Sequence, residues 1–252
     1  MHDPKNPLHL DAFHTDDAII NRIRSASHHG YVGDFVLGAI DGTITTFAII
    51  ASAAGAGLSA GIAIILGIAN VLADGISMAA GNYLRSRTEK QTIQKYRSIE
   101  EMHIAQVPES ERNEIRHIFR EKGFEGSLLD EIVTVITSNK KRWVDTMLTE
   151  EWGIQLDPPN AIRVALVTFV AFVCCGLIPV APLLFFLDGD AQLGFLLSSI
   201  VAFLSFFFIG VSKGMLLRET NPLIAGLETL LVGGAAAGAA YLAGLFLQSI
   251  VA

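Results

Sequence analysis

The sequence predicts an all-α membrane protein with five transmembrane helices and a three-helix cytosolic insert between helices 2 and 3. Hydrophobic residues make up 51% of the 252-residue chain and charged residues only 17%, whereas soluble domains carry about 25% charge. The mean hydropathy is accordingly positive, at +0.47. The charges are unevenly spread, because residues 85–160 contain 26 of the 43 charged side chains. A charged segment therefore interrupts an apolar chain.

Four charge-free stretches exceed the roughly 20 residues that cross a bilayer. They are residues 42–73, 164–187, 191–212 and 229–252. The first is long enough for two helices, and the small residues around Gly55 and Gly57 predict a break inside it. Pro179 and Pro182 predict a kink in the second. We therefore expect spans at about residues 34–56, 59–84, 161–187, 192–217 and 222–250.

The charged segment predicts three helices. Helix 2 can continue without a break to about residue 104, Pro108 suits a helix start, and Gly123 and Gly153 suit helix ends. The expected helices are 86–104, 109–122 and 128–152. The predicted organisation is an N-terminal cytosolic arm (1–32), helices 1 and 2 (33–87), the insert (88–157) and helices 3–5 (158–252).

Loops that contain lysine and arginine alternate along the chain with loops that contain neither, and this pattern predicts how the helices are oriented in the membrane. Residues 85–160 contain twelve lysines and arginines, and none lies in the turn between helices 1 and 2, in the turn at residues 188–190 or in the C-terminal tail. The others outside the insert include Lys5, Arg22, Arg24, Lys213 and Arg218. The positive-inside rule then places the N-terminus and insert in the cytosol and the C-terminus outside. A bacterial inner membrane and a vacuolar membrane both match this multi-pass topology.

The N-terminal arm is polar and gives no cleavable signal peptide pattern. We expect it to be an amphipathic segment on the bilayer surface. Its histidines offer a second interpretation, a weak metal-binding segment. They are His2, His9, His14, His28 and His29.

Composition excludes several classes of function. The net charge of −7 leaves no basic excess to neutralise phosphates, so no nucleic-acid partner is expected. The two cysteines, Cys174 and Cys175, are adjacent and form no disulfide framework. The spans contain no Ser/His pair, His-x-x-x-His pair or Gly-x-Ser-x-Gly motif, so the chain is not expected to be an enzyme. No permanent cofactor is expected.

Polar side chains inside the predicted spans are the first functional candidates, because ionisable groups are costly there. Asp41 and Thr45 lie one turn apart in helix 1. Helix 2 carries a stripe with a spacing of four, which shares one helix face. Its members are Asn70, Asp74, Met78 and Asn82. Two such faces predict a hydrophilic track, and a carboxylate with a thioether suits a divalent transition metal better than Mg²⁺ or Ca²⁺.

Other interpretations of these residues stay open on the sequence alone. Asp41 also fits a helix-packing acid that is hydrogen-bonded to Thr or Asn. Met78 also fits an ordinary core residue. Asp74 fits a metal ligand, a proton carrier or an internal hydrogen-bond partner equally well.

The insert contains a second set of candidate metal ligands. Glu100 and His103 are three apart on one helix face, the Glu-x-x-His spacing of di-iron carboxylate bundles. Glu111 and Glu114 repeat the step of three, and Met147 and Glu151 are four apart. Convergence of these faces would make a metal site. The alternative is a solvated acidic surface with ion pairs along the helices.

Three segments of the chain resemble the vacuolar iron transporter family. They are Gly38–Phe47 (GAIDGTITTF), Ala73–Tyr83 (ADGISMAAGNY) and the end of the insert, Glu150–Ile154 (EEWGI). The resemblance covers nearly the whole chain from about residue 30. It implies a dimeric five-helix exporter of Fe²⁺ from the cytosol, driven by proton counterflow.

The resemblance also implies roles for individual residues. Asp41 and Met78 would line the transport route at the dimer interface. The cytosolic insert would collect ions through glutamates, with Met147 nearby. These glutamates are Glu100, Glu111, Glu114 and Glu151.

Two positions depart from the plant-type members of that family, which carry glutamate where this chain has His103 and Asn70. A neutral histidine still binds metal. Asn70 carries no proton, so Asp74, one turn away, is the expected substitute. The prediction is a homodimeric Fe²⁺ or Mn²⁺/H⁺ antiporter in a lipid bilayer. The alternative is a membrane-anchored metal sensor or storage protein without transport.

Overall fold

The computed structural model describes residues 14–26, 30–187, 190–216 and 221–251, and these residues form helices joined by turns, with no strand among them. The helices are α1 (Asp16–Ala26), α2 (Val32–Gly55), α3 (Ala60–Gln106), α4 (Pro108–Glu121), α5 (Gly126–Thr137), α6 (Lys140–Glu150), α7 (Ala161–Gly176), α8 (Ala181–Leu184), α9 (Ala191–Leu216) and α10 (Pro222–Val251). Several residues of the sequence analysis lie outside the described residues: His2, His9, His28, His29, Arg218, Lys5 and residues 188–189.

The chain divides into two compact units. The membrane unit contains residues 30–84 and 161–252, and the insert unit contains residues 85–160 together with the described part of residues 1–29. Helix α3 is continuous from Ala60 to Gln106. Helix 2 therefore runs into the insert without a break, as the sequence predicts.

Among the described residues, four helices are long and apolar enough to cross a bilayer, namely α2, α3, α9 and α10. The remaining predicted span, residues 161–187, is not one helix. It begins as α7, ends at Gly176 and resumes only as the four-residue α8. Pro179 and Pro182 explain the interruption, because proline has no N–H to donate to a helix.

Helix α2 lies at the centre of the membrane unit and packs against α7, α9 and α10. Its crossing with α7 is close because Gly38 and Gly42 have no side chains. A Cβ atom at Gly42 would meet the backbone of Phe172 in α7. Farther along α2, Phe47 packs edge-on against Phe206 of α9, with ring centroids 6.1 Å apart.

The outer surface of the membrane unit is apolar. Ile65, Leu231 and Phe246 are 69%, 72% and 66% exposed. Such exposure of large aliphatic and aromatic side chains is unfavourable in water but suits contact with lipid. Together with the four long apolar helices, this surface indicates a multi-pass membrane protein.

In the insert unit, α4 packs against α5 and α5 against α6. Their shared core includes Ile115, Val133 and Trp143. The predicted single helix over 128–152 is wrong, because the chain breaks at Ser138 and Asn139. The Asn139 side chain accepts a hydrogen bond from the backbone N–H of Arg142 at 3.0 Å and so caps the start of α6.

Candidate functional site

Two helices meet at a tight corner that brings candidate metal ligands together. Helix α3 ends at Gln106 and α4 begins at Pro108, so Val107 alone joins them. Proline at a first helical position lacks an N–H that would have no partner there, and it restricts the residue before it. The corner places the last turns of α3, with Glu100 and His103, beside the first turn of α4, with Glu111.

These three residues form a cluster, which we call the capture cluster. Glu100, His103 and Glu111 each offer one ligand atom, and these atoms lie within 4.8 Å of one another. His103 Nδ1 lies 3.4 Å from Glu111 Oε1. A carboxylate–imidazole–carboxylate set of this size fits a divalent transition metal.

The carboxylates of the capture cluster are buried, although carboxylates are rarely found inside proteins without a partner. Glu100 is 1% exposed and Glu111 is 2% exposed. The Oε2 atoms of both have no hydrogen-bond partner among the described residues. Buried, unpaired carboxylate oxygens are unfavourable, and a bound cation would satisfy them.

The electrostatics of the cluster favour a proton or a cation. Burial, first, and then the negative charges of Glu114, Glu100 and Glu151 raise the pKa of Glu111 to about 7. The pKa of Glu151 is raised too, by desolvation first and then by Glu100 and Glu114, while His103 opposes the rise. Glu114 and Glu151 are therefore electrically coupled to the cluster, which concentrates negative charge beside its buried ligands.

The C-terminal end of α6 contributes a further contact to Glu100. Trp152 Nε1 donates a hydrogen bond to Glu100 Oε1 at 2.9 Å. The indole ring lies against Tyr96 of α3, with ring centroids 4.4 Å apart. Sequence reasoning did not assign a role to Trp152, although its position next to Glu151 in the EEWGI segment was a usable signal.

A partly buried ion pair joins α6 to α3 one turn before Glu100. Arg97 donates to Asp145 at 2.5 Å, and Lys141 donates to the other carboxylate oxygen at 2.7 Å. Burial alone would raise the pKa of Asp145, but these hydrogen bonds and charges outweigh it and lower the pKa. Asp145 therefore stays ionised and holds the two helices together.

The remaining predicted insert ligands occupy different environments. Glu114 is exposed on α4, and Glu151 directly follows α6. Met147 is fully buried in the apolar core with Ile115 and Trp143. The core position accounts for Met147 by packing alone, and its role as a ligand stays a prediction.

The membrane unit brings the predicted polar residues of α2 and α3 together. Asn70 Nδ2 donates to Thr45 Oγ1 at 3.4 Å, and Thr45 Oγ1 donates to the backbone oxygen of Asp41 at 2.8 Å. Asp41 is one turn before Thr45 on α2, and Asp74 is one turn after Asn70 on α3. The two predicted polar faces are therefore adjacent within one chain.

A second side-chain amide on the polar stripe of α3, that of Asn82, contacts a neighbouring helix. Asn82 Nδ2 donates to Thr168 Oγ1 of α7 at 2.9 Å. Between the two amides, Met78 is half-buried and Asp74 is exposed on the surface of the protomer. The contact between Asn82 and α7 was not predicted, because spacing along one helix does not identify the partner helix.

Fold and site together define a class of protein: a multi-pass helical membrane protein with a helical unit that contains a candidate metal site. Residues 32–245 match the model of the VIT family. The chain belongs to this family.

Characterised relatives align along most of their length. The chain is 35% identical over 229 residues to the vacuolar iron transporter of Toxoplasma gondii, covering 88% of this chain and 76% of the relative. It is 30% identical over 220 residues to vacuolar iron transporter 1 of Tulipa gesneriana, covering 87% and 88%. It is 31% identical over 211 residues to vacuolar iron transporter 1 of Arabidopsis thaliana, covering 83% of each.

Proposed function

We propose that this protein exports Fe²⁺ or Mn²⁺ from the cytosol in exchange for protons, and that it works as a homodimer. The single observation that supports the metal most strongly is the capture cluster. It joins two buried carboxylates with unpaired oxygens and one imidazole. Relatives that are named vacuolar iron transporters align over most of the chain, which supports transport rather than catalysis.

The transport route in this proposal lies between α2 and α3. Asp41, Met78 and Asp74 would replace part of the ion's water shell, with Thr45 and Asn70 completing the polar lining. Few ligands of mixed hardness make a site that binds an ion and also releases it. The side-chain contact between Asn70 and Thr45 supports a shared polar surface at this position.

Proton exchange in this proposal depends on Asp41 and Asp74, whose carboxylates would both contact the ion in the route. Two carboxylates at close range repel each other, and either a proton or a divalent cation relieves that repulsion. Binding of one would therefore disfavour the other, which couples the two flows. Asn70 has no proton to exchange, so Asp74 takes this role in the proposal.

Dimerisation is supported by the exposed face of α3. Asp74 is exposed there, which is unfavourable against lipid. It lies beside small residues with a spacing of four, a pattern that allows close contact between membrane helices. These exposed small residues are Ala69, Ala73, Ser77 and Gly81. A second copy packed on this face would cover Asp74 and complete the route.

The orientation in this proposal follows the distribution of Lys and Arg, with the N-terminus and insert in the cytosol and the C-terminus outside. The capture cluster would then face the compartment from which iron is removed. A bacterial inner membrane and a vacuolar membrane are both compatible with this arrangement.

Reconstitution into liposomes tests the function. Liposomes with an acidic interior should take up Fe²⁺ faster than liposomes without a pH gradient, and uptake should make the interior less acidic. Uptake that ignores the gradient would contradict antiport. Absence of uptake, with the protein folded and inserted, would contradict transport and favour a metal sensor or storage protein.

A further inference from the structure

We propose that Trp152 is a positioning residue for metal capture, which holds the Glu100 carboxylate so that its Oε2 atom faces the ion. This inference rests on the proposed capture function and adds a residue to it. It starts from one contact, the 2.9 Å hydrogen bond that Trp152 Nε1 donates to Glu100 Oε1. That bond occupies one carboxylate oxygen. The other, Oε2, is buried and has no hydrogen-bond partner among the described residues, so it is available to an ion.

Because of this hydrogen bond, the two carboxylate oxygens of Glu100 have different roles. Oε1 is occupied by the indole N–H, so rotation of the carboxylate is restricted. Oε2 remains available at the cluster, where Glu111 Oε2 is also buried and unpaired. Hydrogen bonds to a ligating carboxylate orient it and typically contribute 10- to 100-fold to metal affinity.

An indole is chemically suited to this position. Its N–H is a donor only, so it cannot compete with the carboxylate for the cation. It is neutral, so it does not repel a divalent ion as Lys or Arg would. It also adds no negative charge to a cluster that already contains the carboxylates of Glu100 and Glu111.

The local fold holds the indole in place from two sides. Its ring lies 4.4 Å from the ring of Tyr96, measured between centroids, and Tyr96 is one turn before Glu100 on the same helix. The backbone reverses after α6, because Gly153 has φ of +62° and the N–H of Ile154 bonds to Leu148 O at 2.8 Å. This is the geometry of a glycine-terminated helix end, and it turns Trp152 back toward α3.

The other tryptophan of the chain provides a control for the loss of an indole N–H. Trp143 is 4% exposed, and its Nε1 atom has no hydrogen-bond partner among the described residues. Trp143→Phe therefore removes an N–H that bonds to nothing described, whereas Trp152→Phe removes the N–H that bonds to Glu100. Phenylalanine keeps a ring to pack at both positions.

The test measures Mn²⁺ binding by calorimetry and Mn²⁺ uptake by proteoliposomes, using the full-length protein. Trp152→Phe should raise the Kd of the capture cluster roughly tenfold and raise the KM for uptake in parallel, with kcat and the metal-free Tm unchanged. Trp143→Phe should leave Kd and KM at the values of the unmodified chain. A purely structural role for Trp152 would instead lower Tm and kcat.

An isosteric substitution tests the inference even if the Trp152→Phe variant misfolds. In the Trp143→Phe background Trp152 is the only tryptophan, so it can be replaced by benzothienylalanine, whose ring sulfur stands where the N–H was. The expected result is the same rise in Kd. An unchanged Kd in this variant, or an equal rise in Trp143→Phe alone, overturns the inference.

Failure of the proposed function gives a different result. If the unmodified chain binds no Mn²⁺ at a saturable site, or if Glu100→Gln binds it as tightly, the capture cluster is not a metal site and the role of Trp152 falls with it. If the unmodified chain binds Mn²⁺, Glu100→Gln weakens binding and Trp152→Phe does not, only the inference is wrong.

Discussion

Glu111 is a residue whose ionisation responds strongly to its surroundings. It is 2% exposed, and burial together with neighbouring carboxylates raises its pKa from 4.5 to about 7. The unfolded chain gives up this proton at the lower value. Between the two pH values the folded state therefore binds more protons than the unfolded state, and unfolding releases a proton.

The metal-free insert should accordingly lose stability as pH rises from about 4.5 to about 7. Both tryptophans lie in the insert, so tryptophan emission during chemical denaturation measures its unfolding. Glu111→Gln should remove this part of the pH dependence, because glutamine does not ionise. Glu131→Gln, at an exposed position on α5, should retain it. Parallel pH profiles for the unmodified chain and Glu111→Gln would contradict the prediction.

Met78 is the one soft side chain on the stripe, and its sulfur can be tested apart from its volume. Met78→Leu keeps a similar size but removes the thioether. We expect kcat/KM for Fe²⁺ uptake to fall roughly tenfold, the equivalent of about 1.4 kcal/mol. Met215→Leu, at an exposed position on α9, should transport normally. Equal activity of the two variants would indicate that Met78 only fills space.

At the scale of helices, the crossing of α2 and α7 is a tightly constrained contact of the membrane unit. A Cβ atom at Gly42 would meet the backbone of Phe172 rather than a mobile side chain. Gly42→Ala must therefore separate the two helices, at a cost of roughly 1–3 kcal/mol. The expected result is a lower Tm in detergent.

Gly238→Ala provides the control for this crossing. Gly238 lies inside α10, and a Cβ atom there has nothing within 4 Å. Alanine should be neutral or stabilise the helix by roughly 0.5–1 kcal/mol. If both variants unfold at the same temperature, the close crossing does not stabilise the membrane unit.

Most helices could be predicted because hydrophobic length and glycine or proline positions mark their ends. The run of α3 into the insert followed from the absence of any breaker after Gly81. Two predictions failed for local reasons. Asn139 caps a new helix within 128–152, and the prolines near residue 180 interrupt the third span rather than bending it. Capping and helix breaking depend on single side-chain and backbone hydrogen bonds, which hydrophobic periodicity does not report.

At the scale of the whole molecule, the candidate residues could be named from spacing and resemblance, but their contacts could not. Spacing placed Glu100 and His103 on one face; the corner at Val107 determines that Glu111 is their neighbour. Likewise, the stripe on α3 was visible in the sequence, whereas its bonds to Thr45 and Thr168 depend on how three helices pack.

The capture cluster has different roles in a transporter and in a metal sensor, and the rate of metal uptake distinguishes them. In a transporter the cluster raises the local ion concentration, and the membrane route still conducts without it. The double variant Glu100→Gln, Glu111→Gln should raise the KM for Mn²⁺ uptake by roughly tenfold or more and keep kcat. Loss of all uptake at saturating Mn²⁺, with folding intact, would contradict this division of roles.

The central claim is that Asp41 contacts the ion as it crosses the membrane, and Fe²⁺ uptake by Asp41→Ala proteoliposomes tests it most directly. We predict that uptake falls to the level of protein-free liposomes, while Mn²⁺ binding to the capture cluster is unchanged. Asp157→Asn, an exposed acid that follows the insert helices, should transport normally. Fe²⁺ uptake by Asp41→Ala at the rate of the unmodified chain would contradict the claim.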